Sequence, residues 1–136
     1  MRGAHSRTNA KGFVMKAAGL DKESLDMTLD MLKEFAEGEL QDEKLLELDH
    51  NDEFPVDIIR RMFGEGDDAL GIHLLFIPEA YEGMGGGAFD VYRICETIGK
   101  VDLGVATGLL ATFLGSDPII FGGTEKQKKK WMQLLN

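Results

Sequence analysis

Gly83, Gly85 and Ala88 stand in the order G-x-G-x-x-A, after an apolar segment and before a helical pattern. That is the loose form of a dinucleotide fingerprint, in which a tight turn delivers a pyrophosphate to the amides of a helix N-terminus. The surroundings argue against this chemistry. Five residues, Pro78 among them, separate Ile77 from Gly83, so the turn is not tight. Glu79 and Glu82 would repel the phosphates, and no βαβ unit encloses the segment. A structural loop is the reading the residues favour.

The other chemistry-bearing residues are scattered. His5, His50 and His73 have no ligand-like spacing to one another or to Cys95, so a metal site is not expected. His73, in an apolar stretch, reads as a hydrogen-bonded core residue. Cys95 has no histidine near it in sequence. It falls at a core-facing helical position, where it reads as a small buried hydrophobe rather than a nucleophile. No serine occupies a nucleophile elbow. Carboxylates are dense between Asp21 and Glu53, but on exposed helix faces they solubilise rather than catalyse. No active site forms from these residues alone.

The elements that would carry such residues are helical. Leu25, Leu29, Leu32 and Ala36 recur at steps of four, three and four, and Phe35 widens the stripe. Asp21 suits the N-cap of that helix, because its carboxylate accepts orphan amides and favours the positive dipole end. Leu20 and Leu25 are spaced for a hydrophobic staple, and Gly38 weakens the helix end. Gln41 to Asp52 is polar around Leu45, Leu46 and Leu48 and reads as an irregular connection with at most a helical turn. Pro55 suits a first helical residue. Ile58, Ile59, Met62 and Phe63 follow on one face, and Gly64 or Gly66 closes that helix.

Leu70 to Ile77 is apolar without helical period and reads as buried strand or extended loop, ended by Pro78. Glu79 to Gly87 reads as a loop. Ala88, Val91, Cys95, Ile98 and Val101 mark the next helix. Val105 to Leu114 is apolar nearly all round, which predicts a central buried helix. Pro118 and Gly122-Gly123 are expected to break the chain. Thr124 with Gln127 forms a capping box for the last helix, whose apolar side is read as Trp131, Leu134 and Leu135. The sum is an all-α fold, a compact bundle of about five helices, with Leu25, Leu29, Leu32, Ile98, Leu109 and Phe113 buried.

Composition sets the remaining bounds. At 136 residues the chain fits one domain, and its 43% apolar content suffices for a core. Residues 1–19 read as a polar, flexible tail or cloning remnant without the apolar region of a signal peptide, and residues 20–136 as the domain. One cysteine excludes an internal disulfide framework and fits a reducing, cytoplasmic setting. No apolar run approaches the ~20 residues that a membrane span needs. The net charge of −9 is concentrated in Asp21–Glu53, which repels nucleic acid and anionic lipid. Lys126, Lys128, Lys129 and Lys130 spread around a helix and read as a solvent face.

Three stretches of the chain also resemble a known family. They are Ile77-Pro78-Glu79-x-Tyr81-x-Gly83-Met84-Gly85, Leu114-Gly115-Ser116-Asp117-Pro118-Ile119-Ile120, and Phe121-Gly122-Gly123-Thr124-Glu125-x-Gln127-Lys128. With Leu20-Asp21-x-Glu23, Glu53-Phe54-Pro55 and Leu70-Gly71-Ile72 in the same order, they resemble the amino-terminal helical domain of the acyl-CoA dehydrogenase family, collinear from about Leu20 to Asn136. Two departures are Glu82, where the family usually has glycine, and a longer connection from Gly71 to Pro78.

The resemblance implies flavin-dependent α,β-dehydrogenation of an acyl-CoA thioester. In that reaction a carboxylate removes the α-proton and FAD takes the β-hydride. It implies that the flavin-contacting β-domain and the carboxy-terminal helical domain with the catalytic glutamate lie outside these residues, so no base is assigned here. Electron-transfer flavoprotein is the implied acceptor, and a homo-oligomer the implied assembly. The apolar helix leading into Leu114-Gly115 would form one wall of the acyl pocket, with Thr107, Leu110, Ala111 and Leu114 toward the acyl chain; the same residues read equally as plain core. The alternatives are a fragment of a related acyl-CoA oxidase or flavin monooxygenase, and a free-standing, non-catalytic helical binding or assembly module.

Overall fold

The computed structural model describes residues 19–64 and 69–136. Among the described residues six α-helices follow one another: α1 Lys22–Glu39, α2 Asp42–His50, α3 Val56–Phe63, α4 Ala88–Gly99, α5 Leu103–Gly122 and α6 Glu125–Leu135. Two short 3-10 helices, Ile72–Phe76 and Glu79–Tyr81, lie between α3 and α4. No strand occurs among the described residues. The fold is all-α, as the helical periods predict. The polar tail and Gly66 lie outside the described residues.

The periodic residues of α1 do what their spacing requires. Leu25, Leu29, Leu32, Phe35 and Ala36 are buried on one face. The Asp21 carboxylate accepts the Ser24 amide at 2.9 Å, which caps the helix. Packing then centres on α4, which lies against both α1 and α5; α5 also meets α3, the first 3-10 helix and α6. Leu32, Met62, Ile94, Ile98, Val105, Leu109 and Met132 are completely buried where these helices meet. Arg61 of α3 bonds Glu39 at the end of α1 at 2.5 Å, with its guanidinium over the Phe35 ring. That contact, with the Lys44–Glu39 pair, joins three helices at the bundle edge.

Several expectations are corrected. Gln41 to Asp52 is mostly helix: α2 runs nine residues, fully buries none, and packs only Leu45 and Leu48 half-buried on the core, too short a stripe to announce it. Its first turn carries Asp42 and Glu43, charges that suit the positive end of the helix dipole. Leu70 to Ile77 is neither strand nor extended loop but contains a 3-10 helix, which buries Ile72, Leu75 and Phe76. Pro55 precedes the first helical residue, Val56, by one position. Gly64 closes α3 with φ 135°, a value that glycine tolerates and side chains do not.

Pro118 does not break α5, which continues to Gly122. A proline inside a helix removes one backbone bond, here to Leu114. Leu114 is 61% exposed, so water can satisfy the freed carbonyl. In α6 the buried residue is Met132; Trp131 and Leu134 are 44% and 69% exposed. Phe113 is only half-buried, and Val101 lies beyond the end of α4 and is exposed.

One buried charge holds the entry to the bundle. Asp90 is 3% exposed, and one of its carboxylate oxygens accepts the amides of Leu20 at 2.9 Å and Gly87 at 2.8 Å. It thereby caps α4 from within its first turn and fastens the chain ahead of α1 to that cap. Asp90→Ala leaves two part-buried amides short of their acceptor. The expected loss is about 2–4 kcal/mol of unfolding free energy. Asp90→Asn keeps an oxygen and should recover part of it. Urea unfolding of the three proteins measures the difference.

Candidate functional site

α5 is the element around which a site can be built, because its two sides are unlike. At 3.6 residues per turn, Val105, Ala106, Leu109 and Ser116 fall together on the side that is buried in the bundle. Leu103, Thr107, Ala111, Leu114, Pro118 and Phe121 fall on the opposite side, and all six are exposed. Leu103, Leu114 and Phe121 are 74%, 61% and 64% exposed. The open side is about 30 Å long, from the rise of a 20-residue helix. It carries no charge. Thr107 is its one hydroxyl, and that hydroxyl donates to the Leu103 carbonyl at 2.7 Å inside the helix.

The sequence reading put Thr107, Leu110, Ala111 and Leu114 on one face. Thr107, Ala111 and Leu114 lie on the open side, and Leu110 is half-buried at its edge, packed against the core. None of the four is fully buried. The expectation of a helix buried all round is corrected: α5 is core on one side only. Leu103, Pro118 and Phe121 extend the face beyond the residues singled out from sequence. Their signal was present in the steps of four, four, three, four and three that separate Leu103, Thr107, Ala111, Leu114, Pro118 and Phe121.

α5 also corrects the statement about membrane spans. With 20 residues and a mean hydropathy of 1.5, it is long and apolar enough to cross a bilayer by length and composition. One side of it is the bundle core, however, and core helices of globular domains pass the same test.

The glycine loop is structural. Tyr81, Glu82 and Gly83 donate their amides to Pro78 and Glu79 carbonyls; Met84, Gly85 and Gly86 donate to Leu74, Ile77 and Leu75. Gly87 donates to Asp90. Seven consecutive loop amides, Tyr81 to Gly87, are thus spent inside the protein, and none of the seven is left for a phosphate. The Tyr81 hydroxyl donates to Glu125 at 3.0 Å and ties the loop to α6.

Glu82 sits in this loop at φ 68° and ψ 16°, the left-handed region that favours glycine. Glu82→Gly should therefore raise the unfolding free energy by about 0.5–1 kcal/mol, the strain relieved less the added freedom of the unfolded chain. Thermal unfolding checks the sign; a lower Tm would show that the Glu82 side chain earns its place by another contact.

His73 and Cys95 carry no chemistry that the structure develops. His73 packs on the Phe63 ring at 5.9 Å, and its buried Nδ1 has no hydrogen-bond partner among the described residues, contrary to the bonded core histidine expected. Burial lowers its pKa. Cys95 is half-buried, and burial raises its thiol away from the reactive thiolate. Among the described residues no three histidine, cysteine or carboxylate side chains gather as metal ligands.

The architecture is therefore that of an all-helical domain with an uncharged helix face left open. The sequence profile of the acyl-CoA dehydrogenase amino-terminal domain matches residues 22–135. The chain belongs to the acyl-CoA dehydrogenase family, as its amino-terminal domain.

Similar proteins agree. Over 111 residues the chain is 32% identical to cyclohex-1-ene-1-carbonyl-CoA dehydrogenase of Geobacter metallireducens, a match that covers 82% of this chain and 28% of that protein. It is 35% identical over 106 residues to the probable acyl-CoA dehydrogenase YngJ of Bacillus subtilis, covering 76% of this chain and 26% of the relative. A second Bacillus subtilis protein, named acyl-CoA dehydrogenase, is 29% identical over 110 residues, with coverages of 80% and 27%. The chain thus spans 26–28% of the length of these relatives. No solved structure matches it.

Proposed function

We propose that this chain is the amino-terminal domain of an FAD-dependent acyl-CoA dehydrogenase, an oxidoreductase acting on the CH–CH bond next to an acyl thioester. In this reading the open side of α5 is one wall of the acyl pocket. The observation that carries it is the two-sidedness of α5: a helix face about 30 Å long, uncharged and opposite the core, suits an apolar ligand. Thr107, Ala111 and Leu114 stand along that wall, with Leu110 at its edge. Family membership supplies the substrate class. Electron-transfer flavoprotein as acceptor, a homo-oligomeric assembly and a cytoplasmic location complete the proposal.

The described residues do not fit FAD by themselves. The loop amides that could cradle a pyrophosphate are all bonded within the chain. The flavin and the catalytic base are assigned to polypeptide beyond these residues. The isolated chain is accordingly expected to purify without flavin absorption and to give no acyl-CoA-dependent dye reduction. A stoichiometric yellow protein would overturn that. The wall itself is tested by photolabelling the enzyme that contains this domain, using an acyl-CoA with a photoreactive group on the acyl chain. Label should fall between Thr107 and Leu114; label found only elsewhere would remove α5 from the pocket.

A further inference from the structure

His73 has no catalytic partner, but its packing makes one joint of the fold sensitive to acid. It stands on the first 3-10 helix, Ile72–Phe76, which packs against α3 and α5. The Leu74 and Leu75 carbonyls of that turn accept the amides of Met84 and Gly86, so the turn also holds the glycine loop. The imidazole is seated on the end of α3. Its ring lies 5.9 Å from that of Phe63, and a Cβ on Gly64 would stand 3.0 Å from its Cε1. In that contact Nδ1 is buried and bonds nothing among the described residues.

A neutral imidazole can keep its proton on Nε2 and leave Nδ1 as an unmet acceptor. In an imidazolium both nitrogens are donors, and the new N–H would be a buried donor on a cation with no acceptor. The charged groups on the helices packed against the turn give no relief. On α3, Arg60 and Arg61 are cations, and Asp57 lies in the exposed first turn, at the far end from Phe63. On α5 there is only Asp117, one turn beyond the Phe113 ring that meets Phe76, and burial already disfavours its carboxylate. Burial likewise holds the His73 pKa below its ordinary value.

We propose that His73 is an acid-sensitive latch: while its imidazole is neutral the turn stays seated on α3 and keeps the loop, and protonation favours a form in which the turn has left α3 and the loop is released with it. In the open form His73 meets water and titrates as an ordinary histidine, near pH 6.5. The open form therefore takes up the proton first. Closure is fully supported above that pH and weakens as the pH falls through it toward the lower value of the closed form. Between pH 7.5 and pH 5.5 the ratio of open to closed forms rises about tenfold if the closed form stays neutral, and less to the extent that it accepts the proton.

The test is native-state proteolysis of the whole chain by thermolysin, which cuts at large apolar residues and meets those of residues 72–77 only when the turn is open. Cutting at each pH is timed against an unstructured peptide with the same apolar run, and mass spectrometry locates the cuts. From pH 7.5 to pH 5.5 the normalised rate within residues 72–77 should rise several-fold, to about tenfold at most. Cutting at Leu29 and Leu32, buried in α1, should stay level. In His73→Phe, whose ring fills the site and binds no proton, the rise should vanish. NMR of the unaltered chain gives a readout that needs no variant: the His73 ring should titrate below pH 6.5. Titration at or above that pH would overturn the latch. So would a rise that persists in His73→Phe, which would assign the response to another group, or an equal rise in α1, which would mark unfolding of the whole domain. Slower cutting in acid would overturn it as well, since a carboxylate such as Glu65, Asp67 or Asp68, which follow α3 in sequence, would then be accepting the new proton.

Discussion

Gly83→Ala is expected to lose about 3 kcal/mol or more of stability and to lower Tm by roughly 10 °C or more. A Cβ at this position would fall inside the van der Waals envelope of the Ile77 carbonyl and of its side chain. Neither neighbour can step aside. Ile77 is 1% exposed, and its carbonyl already accepts the Gly85 amide at 2.9 Å. The loop would have to lift away, and it would surrender several of its seven amide bonds as it went. Differential scanning calorimetry of the two proteins measures the shift. A Tm within a degree or two of the parent would mean that the loop has slack which its hydrogen bonds do not suggest.

In the enzyme containing this domain, Leu110→Glu is expected to impair long acyl substrates more than short ones. Leu110 lies one turn before Leu114 and three residues after Thr107, so it borders the open side of α5. A carboxylate there must be desolvated or must draw water to an apolar surface, at a cost on the order of a few kcal/mol. A long chain reaches the new group and a short one stops before it. Each methylene kept from burial forfeits roughly 0.8 kcal/mol. The measurement is kcat/KM across acyl chain lengths for parent and variant. Leu110 also touches the core, so an equal loss at every length would mean that the effect is on folding.

How far each element could be read from sequence followed from how strongly burial had patterned it. α1 and α6 carry their starts in their residues: Asp21 takes the Ser24 amide, and the Thr124–Gln127 capping box forms as spaced. α2 was missed because only Leu45 and Leu48, one turn apart and half-buried, pack against the core, and two positions are too few to set a period. The 3-10 helix at Ile72–Phe76 was missed for the opposite reason: its run of apolar residues fits strand and helix alike. The anchor at Asp90 had a signal that went unread, since Gly87 and Asp90 stand at the spacing of an N-cap and the residue that reaches back to it.

For the candidate site, the helix was legible in sequence, but its division into a buried and an open side was not. Val105 to Leu114 is apolar nearly all round, so a buried side and an open side cannot be told apart until the neighbouring helices are in place. Gly108 illustrates the point: a Cβ there would stand 3.1 Å from Ile59 and 3.2 Å from Phe54, a proximity that only the packed fold creates. The fate of the glycine fingerprint was legible in part. Its acidic neighbours argued against a phosphate, but that its amides were already engaged required coordinates.

Those seven engaged amides have a consequence for how the domain opens. The loop carrying Gly83 to Gly87 has little regular structure, and loops of that kind ordinarily exchange their amide hydrogens within the time of a solvent fluctuation. Here the acceptors for Met84, Gly85 and Gly86 belong to Leu74, Ile77 and Leu75, in and next to a buried 3-10 helix. Freeing one of these amides means disturbing that helix, and unwinding the helix releases the loop. The stretch from Ile72 to Gly87 is thereby expected to open as one cooperative unit and to exchange slowly as a block, which amide hydrogen exchange measures.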